Sequence, residues 1–135
     1  MNEQDNVAAL RKMYADFGAG DILGVLNVMA EDVVWKQARE GPKPFAGTIC
    51  GRDQFDAWFV QLEAISDIEA FDPREFIAQG NKVVVIGHYV LRARATGKLW
   101  ESDWAHIWTF SGRQVIEGQV LEDTLARAAA LDWLP

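Results

Sequence analysis

The chain has 135 residues, half of them hydrophobic, which fits one globular domain over residues 1–135 with a buried core. Its formal net charge of −7 argues against nucleic acids and anionic membranes as partners, since both require a basic surface. Cys50 is the only cysteine, which excludes an internal disulfide, and the N-terminus lacks the apolar core of a signal peptide. We therefore expect a cytoplasmic protein.

Two helices and a short strand are predicted at the N-terminal end. Apolar residues recur at helical spacing over Asp5–Gly18, and both Tyr14 and Phe17 lie on that apolar stripe. A Gly-Ala-Gly sequence ends this helix, and a second helix, capped by its first residue, is predicted over Asp21–Met29. The sequence DVVWK, Asp32–Lys36, predicts the first strand.

The middle of the chain holds a loop, a helix and a strand. Glycines and prolines are spread through Gln37–Cys50, which predicts a loop of the length typical of a lid or a pocket rim. A third helix is expected from Arg52 or Asp53 to Ile65, with Phe55 facing inward. A strand is predicted over Ile68–Ala78, interrupted at Asp72-Pro73.

The stretch Lys82–Phe110 predicts a long β-hairpin that turns at Thr96-Gly97. The ladder counted from that turn puts Tyr89 opposite Trp104. Pleating then gathers one set of residues on a single, largely aromatic face: Gly87, Tyr89, Leu91, Ala93, Ala95, Lys98, Trp100, Ser102, Trp104, His106, Trp108 and Phe110. His106 is the only histidine on this face, so the hairpin predicts an apolar pocket wall with one group that titrates near neutral pH.

The opposite face of the hairpin is charged. The same ladder puts Arg92 directly across from Glu101, so we expect Glu101 and Asp103 to form structural ion pairs rather than act as acids or bases. His88 lies beside Asp103 on this face. We expect it to be a surface or dimer-interface residue.

The C-terminal end predicts a last strand, Gln114–Leu121, and a short helix over Asp123–Leu131. The order of elements is helix, helix, strand, loop, helix and four strands, which predicts an α+β fold with a curved antiparallel sheet wrapped on helices. Without a fixed register, the sequence leaves open which of Glu117, Gln119 and Glu122 face the pocket.

Four stretches of the sequence resemble the SnoaL-like branch of the nuclear transport factor 2 and ketosteroid isomerase superfamily. They are YADFGAGDILGVLNVMAEDVVW (Tyr14–Trp35), PFAGTICGRDQFDAWF (Pro44–Phe59), the hairpin with its flanking turns (Gly80–Gly112) and LEDTLARAAAL near the end. The resemblance implies the cystatin-like family fold, a cone in which a curved sheet and N-terminal helices enclose a deep apolar pocket. It also implies a homodimer and a small hydrophobic ligand.

The resemblance leaves the reaction open, because one fold hosts unrelated functions. In ketosteroid isomerase an Asp base works with a Tyr and a protonated Asp as oxyanion donors. Carried over to this chain, the base falls on Gln37, the Tyr on Met13 beside Tyr14, and the protonated Asp on His106. Gln37 cannot act as a base at neutral pH, so we do not expect steroid isomerisation by that mechanism.

His106 and Tyr14 are the candidate catalytic residues. On an apolar face desolvation favours a neutral imidazole, which could donate to a developing oxyanion or shuttle a proton. Alternatively, His106 is a structural residue that bonds to backbone or to a buried water. Tyr14 could likewise be a pocket donor or a core residue with a satisfied hydroxyl.

The candidate ligand-binding residues are mostly aromatic or apolar: Met13, Phe17, Trp35, Gln37, Phe55, Tyr89, Leu91, Trp104 and Trp108. The tryptophans among them could stack on a flat apolar ligand or simply pack in the core. Neither a metal nor another cofactor is expected, since the two histidines lie on opposite faces and no cysteines cluster. Two functions stay open. One is a cofactor-independent isomerase, cyclase or dehydratase that works by proton transfer, and the other is a non-catalytic ligand-binding or dimerisation domain.

Overall fold

The computed structural model describes residues 2–134 and has the predicted α+β order of elements. These elements are α1 (Glu3–Gly18), α2 (Ile22–Asn27), β1 (Met29–Lys36), β2 (Thr48–Cys50), α3 (Arg52–Ile65), β3 (Ser66–Gln79), β4 (Lys82–Ala93), β5 (Leu99–Ser111), β6 (Gln114–Glu122) and α4 (Thr124–Ala130). The short strand β2 was not predicted, and it occupies the end of the expected loop Gln37–Cys50. Among the described helices, none has the length and apolar character needed to cross a membrane.

Side-chain caps fix where three of the helices begin. The Asn2 side chain accepts from the Asp5 N–H at 2.8 Å and the Asp5 carboxylate accepts from the Asn2 N–H, so α1 starts two residues before the predicted position. Asp21 and Asp123 each accept a hydrogen bond from the backbone N–H three residues further on. The second helix ends before the predicted Met29, because that residue already pairs with β6 as the first residue of β1.

The six strands form one sheet in the order β2-β1-β6-β5-β4-β3. Four of the five neighbouring pairs run antiparallel, as predicted, and β1 runs parallel to β6. A parallel pair needs a long crossover connection. Here the chain between β1 and β6 contains α3 and the other four strands. The pairing of β1 with β6 is therefore long-range, and local periodicity does not encode it.

Strand β3 is continuous through Asp72-Pro73, where an interruption was predicted. The ladder to β4 instead shifts register twice, between Ile68 and Ala70 and between Pro73 and Glu75. Because β3 is an edge strand, proline can replace a backbone donor there without breaking a ladder on both sides. Bulges of this kind bend a strand, which curves this side of the sheet toward α1.

The β4–β5 hairpin has the predicted faces but a different register. Leu91 lies opposite Trp100, and Tyr89 lies opposite Ser102 rather than Trp104. The connection is a five-residue loop, 94–98, in place of the predicted two-residue turn. The resulting shift of two residues keeps every side chain on its predicted face, because side chains alternate with a period of two.

Glycines let two tryptophan rings lie flat on the sheet. Gly87 is opposite Trp104, and Gly118 is opposite Trp108. A Cβ atom on Gly87 would overlap the Trp104 ring and approach the Asp72 carbonyl oxygen to 2.5 Å. The inner face of the sheet therefore requires glycine at these positions.

We expect Gly87→Ala to lower the free energy of unfolding by about 1–3 kcal/mol, because both an indole and a backbone oxygen must move. Urea denaturation with a common slope measures the change. Gly18→Ala is the matched control, since an added Cβ there meets nothing within 4 Å. Equal stabilities of the two variants would contradict the close approach of Trp104.

Candidate functional site

A cavity of about 500 Å³ lies between the inner face of the sheet and helices α1 and α3. Such a volume suits a small organic ligand. Its lining includes all but one of the candidate ligand-binding residues: Met13, Phe17, Trp35, Gln37, Phe55, Tyr89, Leu91 and Trp108. Trp104, the exception, is buried and stacks on His106, with ring centroids 4.1 Å apart.

Tyr14, His106 and Trp108 are joined by hydrogen bonds at the cavity wall. The Tyr14 Oη atom lies 2.8 Å from His106 Nδ1, and Trp108 Nε1 donates to the same Oη at 2.9 Å. An indole N–H can only donate, so the Tyr14 hydroxyl is free to donate its own proton to Nδ1. This network assigns the proton of a neutral His106 ring to Nε2.

Burial keeps both groups of the Tyr14–His106 pair uncharged at neutral pH. Desolvation lowers the pKa of His106 to about 3, and desolvation raises the pKa of Tyr14, an effect opposed by the Trp108 hydrogen bond. Within residues 2–134 no side chain or backbone group bonds to His106 Nε2, and His106 lines the cavity. His106 can therefore offer an N–H to a ligand oxygen, and it is a poor base.

Glu122, Arg127 and Tyr89 form a second polar cluster on the cavity wall, which we call the Glu122 cluster. Tyr89 Oη donates to Glu122 Oε1 at 2.6 Å, and Arg127 Nη2 binds the same carboxylate oxygen. The Glu122 and Arg127 side chains are only 7% and 4% exposed. Desolvation, followed by the Glu122 charge, raises the pKa of Tyr89, so this hydroxyl keeps its proton.

The sequence did not predict the Glu122 cluster. Glu122 faces the cavity because it lies opposite Trp104 in the β5–β6 ladder, a register that the sequence left open. Glu117 instead forms an ion pair with Lys36 at 2.9 Å. Arg127 was missed because an arginine in a short alanine-rich helix carries no signal of burial.

His106 and Glu122 lie close together on the inner face of the sheet. His106 is opposite Val120 in the β5–β6 ladder, so Glu122 is its diagonal neighbour on the same face. The Glu122 Oε2 atom has no hydrogen-bond partner among the described residues. The inner wall of the cavity thus offers a donor, His106 Nε2–H, and a carboxylate acceptor, Glu122 Oε2, beside aromatic side chains. The lining also includes the charged residues Asp56, Glu63, Asp67 and Arg94.

The Gln37 side chain is hydrogen-bonded to the loop that follows it. Its Nε2 donates to the Pro44 carbonyl at 2.9 Å, and Trp58 Nε1 donates to the same oxygen at 3.1 Å. Phe45, next in this loop, is buried and lies over the Arg127 guanidinium, whose carbon is 4.0 Å from the ring centroid. The loop therefore forms part of the cavity rim, held by two side chains that line the cavity.

The charged outer face of the hairpin differs from the prediction in one pair. Glu101 bonds to His88 Nε2 at 3.0 Å, and the Arg92 guanidinium binds Glu69 of β3 at 3.0 Å, so the predicted Arg92–Glu101 pair is wrong. The two-residue change of register separates them. Asp103 bonds to His88 Nδ1 at 2.9 Å, so the pKa of His88 is raised by Asp103 and then by Glu101.

Comparison with known proteins finds matches over nearly the whole chain. Residues 10–118 match the SnoaL-like domain family. An NTF2-like protein from Burkholderia xenovorans LB400 is 34% identical, with a TM-score of 0.86 over 97% of this chain and 98% of that one. An NTF2-like protein of unknown function from Burkholderia pseudomallei K96243 is 26% identical, with the same TM-score and coverage.

TerC, solved as a co-crystal with polyporic acid, is also similar to this chain. It is 28% identical, with a TM-score of 0.85 over 95% of this chain and 98% of TerC. Comparison with curated protein sequences gives no match.

We expect Tyr14→Phe to lower the free energy of unfolding by about 1–3 kcal/mol, because it leaves the buried His106 Nδ1 and Trp108 Nε1 without a partner. Urea denaturation measures the loss. In a His106→Leu background the same change should cost less, because one of the two partners is already absent. An equal cost in both backgrounds would contradict the hydrogen bond.

Proposed function

The chain belongs to the SnoaL-like domain family of the NTF2-like superfamily, and on that premise we propose that it binds a small flat aromatic molecule and acts on it by cofactor-independent proton transfer. The observation that carries this proposal is His106, fixed through Nδ1 by Tyr14 and lining an apolar cavity of about 500 Å³. A ligand oxygen would bond to the Nε2–H of His106.

The walls of the cavity support a flat aromatic ligand. Trp35 stacks on Trp108 with ring centroids 5.2 Å apart, and Phe55 stacks on Phe59 at 5.1 Å, so broad ring surfaces line the space. TerC was crystallised with polyporic acid, a hydroxyquinone that carries two phenyl rings. A ligand of related chemistry, with aromatic rings and carbonyl or hydroxyl oxygens, suits this cavity.

Glu122 and His106 would divide the chemistry between them. Glu122 Oε2 would take a proton from a carbon next to a ligand carbonyl, and the electrons of that C–H bond would move onto the carbonyl oxygen. The resulting enolate oxygen would accept the His106 Nε2–H, a bond that strengthens as charge develops in an apolar site. Return of the proton from Glu122 to another carbon completes an isomerisation without a cofactor.

A non-catalytic binding protein is the second candidate. The pairing of Glu122 with Arg127 and Tyr89 favours it, because one oxygen of the carboxylate is already engaged in hydrogen bonds within the protein. In this alternative His106 and the aromatic walls would hold the ligand and Glu122 would accept a ligand hydroxyl.

We also propose that two copies of the chain pair through the outer face of the sheet. Half-buried Ile86, Val90 and Ile107 alternate with the inward residues there, and Leu121 of β6 is 52% exposed. A second copy would cover this apolar stripe. We expect a dimer at micromolar concentration by size-exclusion chromatography with light scattering, and a monomer would contradict this proposal.

The cytoplasmic location stays a prediction from the sequence.

We expect β-naphthol to raise the thermal midpoint of the wild-type protein, since a ligand that binds only the folded state stabilises it. His106→Asn should weaken β-naphthol binding about tenfold, the cost of a lost hydrogen bond, with naphthalene binding little changed. His88→Asn is the matched control, because it makes the same change outside the cavity. Equal losses in the two variants would contradict a role for His106 in binding.

Exchange of the acidic hydrogens of β-tetralone in deuterated water, followed by NMR, separates the two candidate functions. Proton transfer predicts faster exchange with the wild-type protein, and loss of that acceleration in Glu122→Gln with binding retained. Binding of β-tetralone without acceleration would favour the non-catalytic protein.

A further inference from the structure

We propose that Arg127 is a positioning residue, which pairs its charge with the buried Glu122 carboxylate, binds one oxygen of that group and turns the other, Oε2, toward the ligand. The proposal deepens the proposed function and rests on it for the role of Glu122 as proton acceptor. The ligand groups that suit Oε2 are a hydroxyl and an acidic C–H group, because a carboxylate oxygen can only accept a hydrogen.

The donors of the Glu122 cluster converge on one atom. Tyr89 Oη and Arg127 Nη2 both bind Oε1 of Glu122, and Nη2 also donates to Tyr89 Oη at 3.1 Å. The three groups therefore close a triangle. With Oε1 held from two directions, the carboxylate cannot rotate freely, and Oε2 keeps a fixed orientation toward the cavity that Glu122 lines.

The surroundings of Arg127 strengthen its effect on Glu122. Arg127 comes from α4, is 3% exposed, and is covered on one side by Phe45 of the loop that follows β1. In such a poorly hydrated setting a charge acts on its partner more strongly than at a surface. The ionisable side chains near Glu122 include Tyr89 on β4, His106 on β5 and the adjacent Asp123, and Arg127 supplies the positive charge that binds the carboxylate.

A purely structural role explains Arg127 less well. Its Nε atom is buried without a hydrogen-bond partner, which costs stability. Buried ion pairs are often no more stabilising than apolar side chains of similar size, so packing alone would favour a leucine or methionine at this position. The arrangement instead gives the cavity a carboxylate whose Oε1 atom is held by protein donors.

The pairing of Glu122 with Arg127 also restricts the class of ligand. Because Glu122 offsets the charge of Arg127, the cluster offers no free cation to a ligand carboxylate, and Oε2 would repel one. A phenol, an enol or a ketone with acidic C–H groups matches the cluster. β-Naphthol and β-tetralone are therefore suitable probes, and β-naphthoate is the matched anion that should bind more weakly.

Infrared spectroscopy of the unliganded protein tests the proposal without any ligand. We expect the Arg127→Met variant to show, at neutral pH, the C=O stretch of a protonated carboxyl group, because a buried carboxylate without its cation takes up a proton. The band should be absent from the wild type, from Arg127→Lys, which keeps the charge, and from the double variant Arg127→Met with Glu122→Gln. Circular dichroism checks that each variant is folded.

A folded Arg127→Met variant without this band would overturn the proposal, since the Glu122 carboxylate would then not depend on the charge of Arg127. Should Arg127→Met fail to fold, Arg127→Gln, which keeps an N–H donor but no charge, carries the same expectation. The β-tetralone assay adds a second readout: Arg127→Lys should retain KM and lose about tenfold in kcat through looser positioning. If the wild type does not accelerate exchange, the proposed function fails, and the infrared band still decides the role of Arg127.

Discussion

The hydrogen bond between Tyr14 and His106 is the constraint on which the arrangement of the cavity depends. It joins residues 92 positions apart in the chain and fastens the inner face of α1 to the middle of β5. Trp108 adds a donor to the same hydroxyl, and Trp104 stacks on the imidazole, so the ring has one orientation. Because Nδ1 is used within the protein, the remaining nitrogen belongs to the cavity. A packing contact thereby determines which hydrogen bond a ligand can receive.

The side chains of His106, Tyr14 and Tyr89 at the cavity wall are uncharged at neutral pH. His106 is neutral because burial lowers its pKa to about 3, and both buried tyrosines keep their protons because desolvation raises the pKa of each hydroxyl. The buried charges of the wall are Glu122 and Arg127, which are paired. A ligand at the inner wall therefore meets the His106 N–H donor and a Glu122 carboxylate oxygen beside aromatic side chains. This pattern orients a carbonyl compound by two bonds and leaves the rest of its binding to apolar contact. Since one fold supports many activities, this local chemistry and not the family resemblance carries the proposed function.

Much of the fold follows from local patterns, and the site follows only in part. The period-two alternation of Lys82–Phe110 gave the correct faces for Tyr89, Trp104 and His106, because a strand has only two faces to choose between. The turn geometry was wrong, since a five-residue loop can close where a two-residue loop was expected. The Tyr14–His106 bond needs the docking of α1 on the sheet, and the inward direction of Glu122 needs the β5–β6 register. Both depend on tertiary structure, which local sequence patterns do not encode. Arg127 had no sequence signal at all, because burial in a short helix depends on what the helix covers.

Long-range proton–nitrogen NMR of the histidine rings tests the central claim most directly. The chain has two histidines, and His88→Asn assigns the signals of His106 by elimination. We expect His106 to show a neutral ring with its proton on Nε2, unchanged as the pH falls toward its pKa of about 3, while the pKa of His88 lies above its usual 6.5. A proton on Nδ1, or uptake of a second proton by His106 near pH 6.5, would contradict the role assigned to the Tyr14–His106 bond.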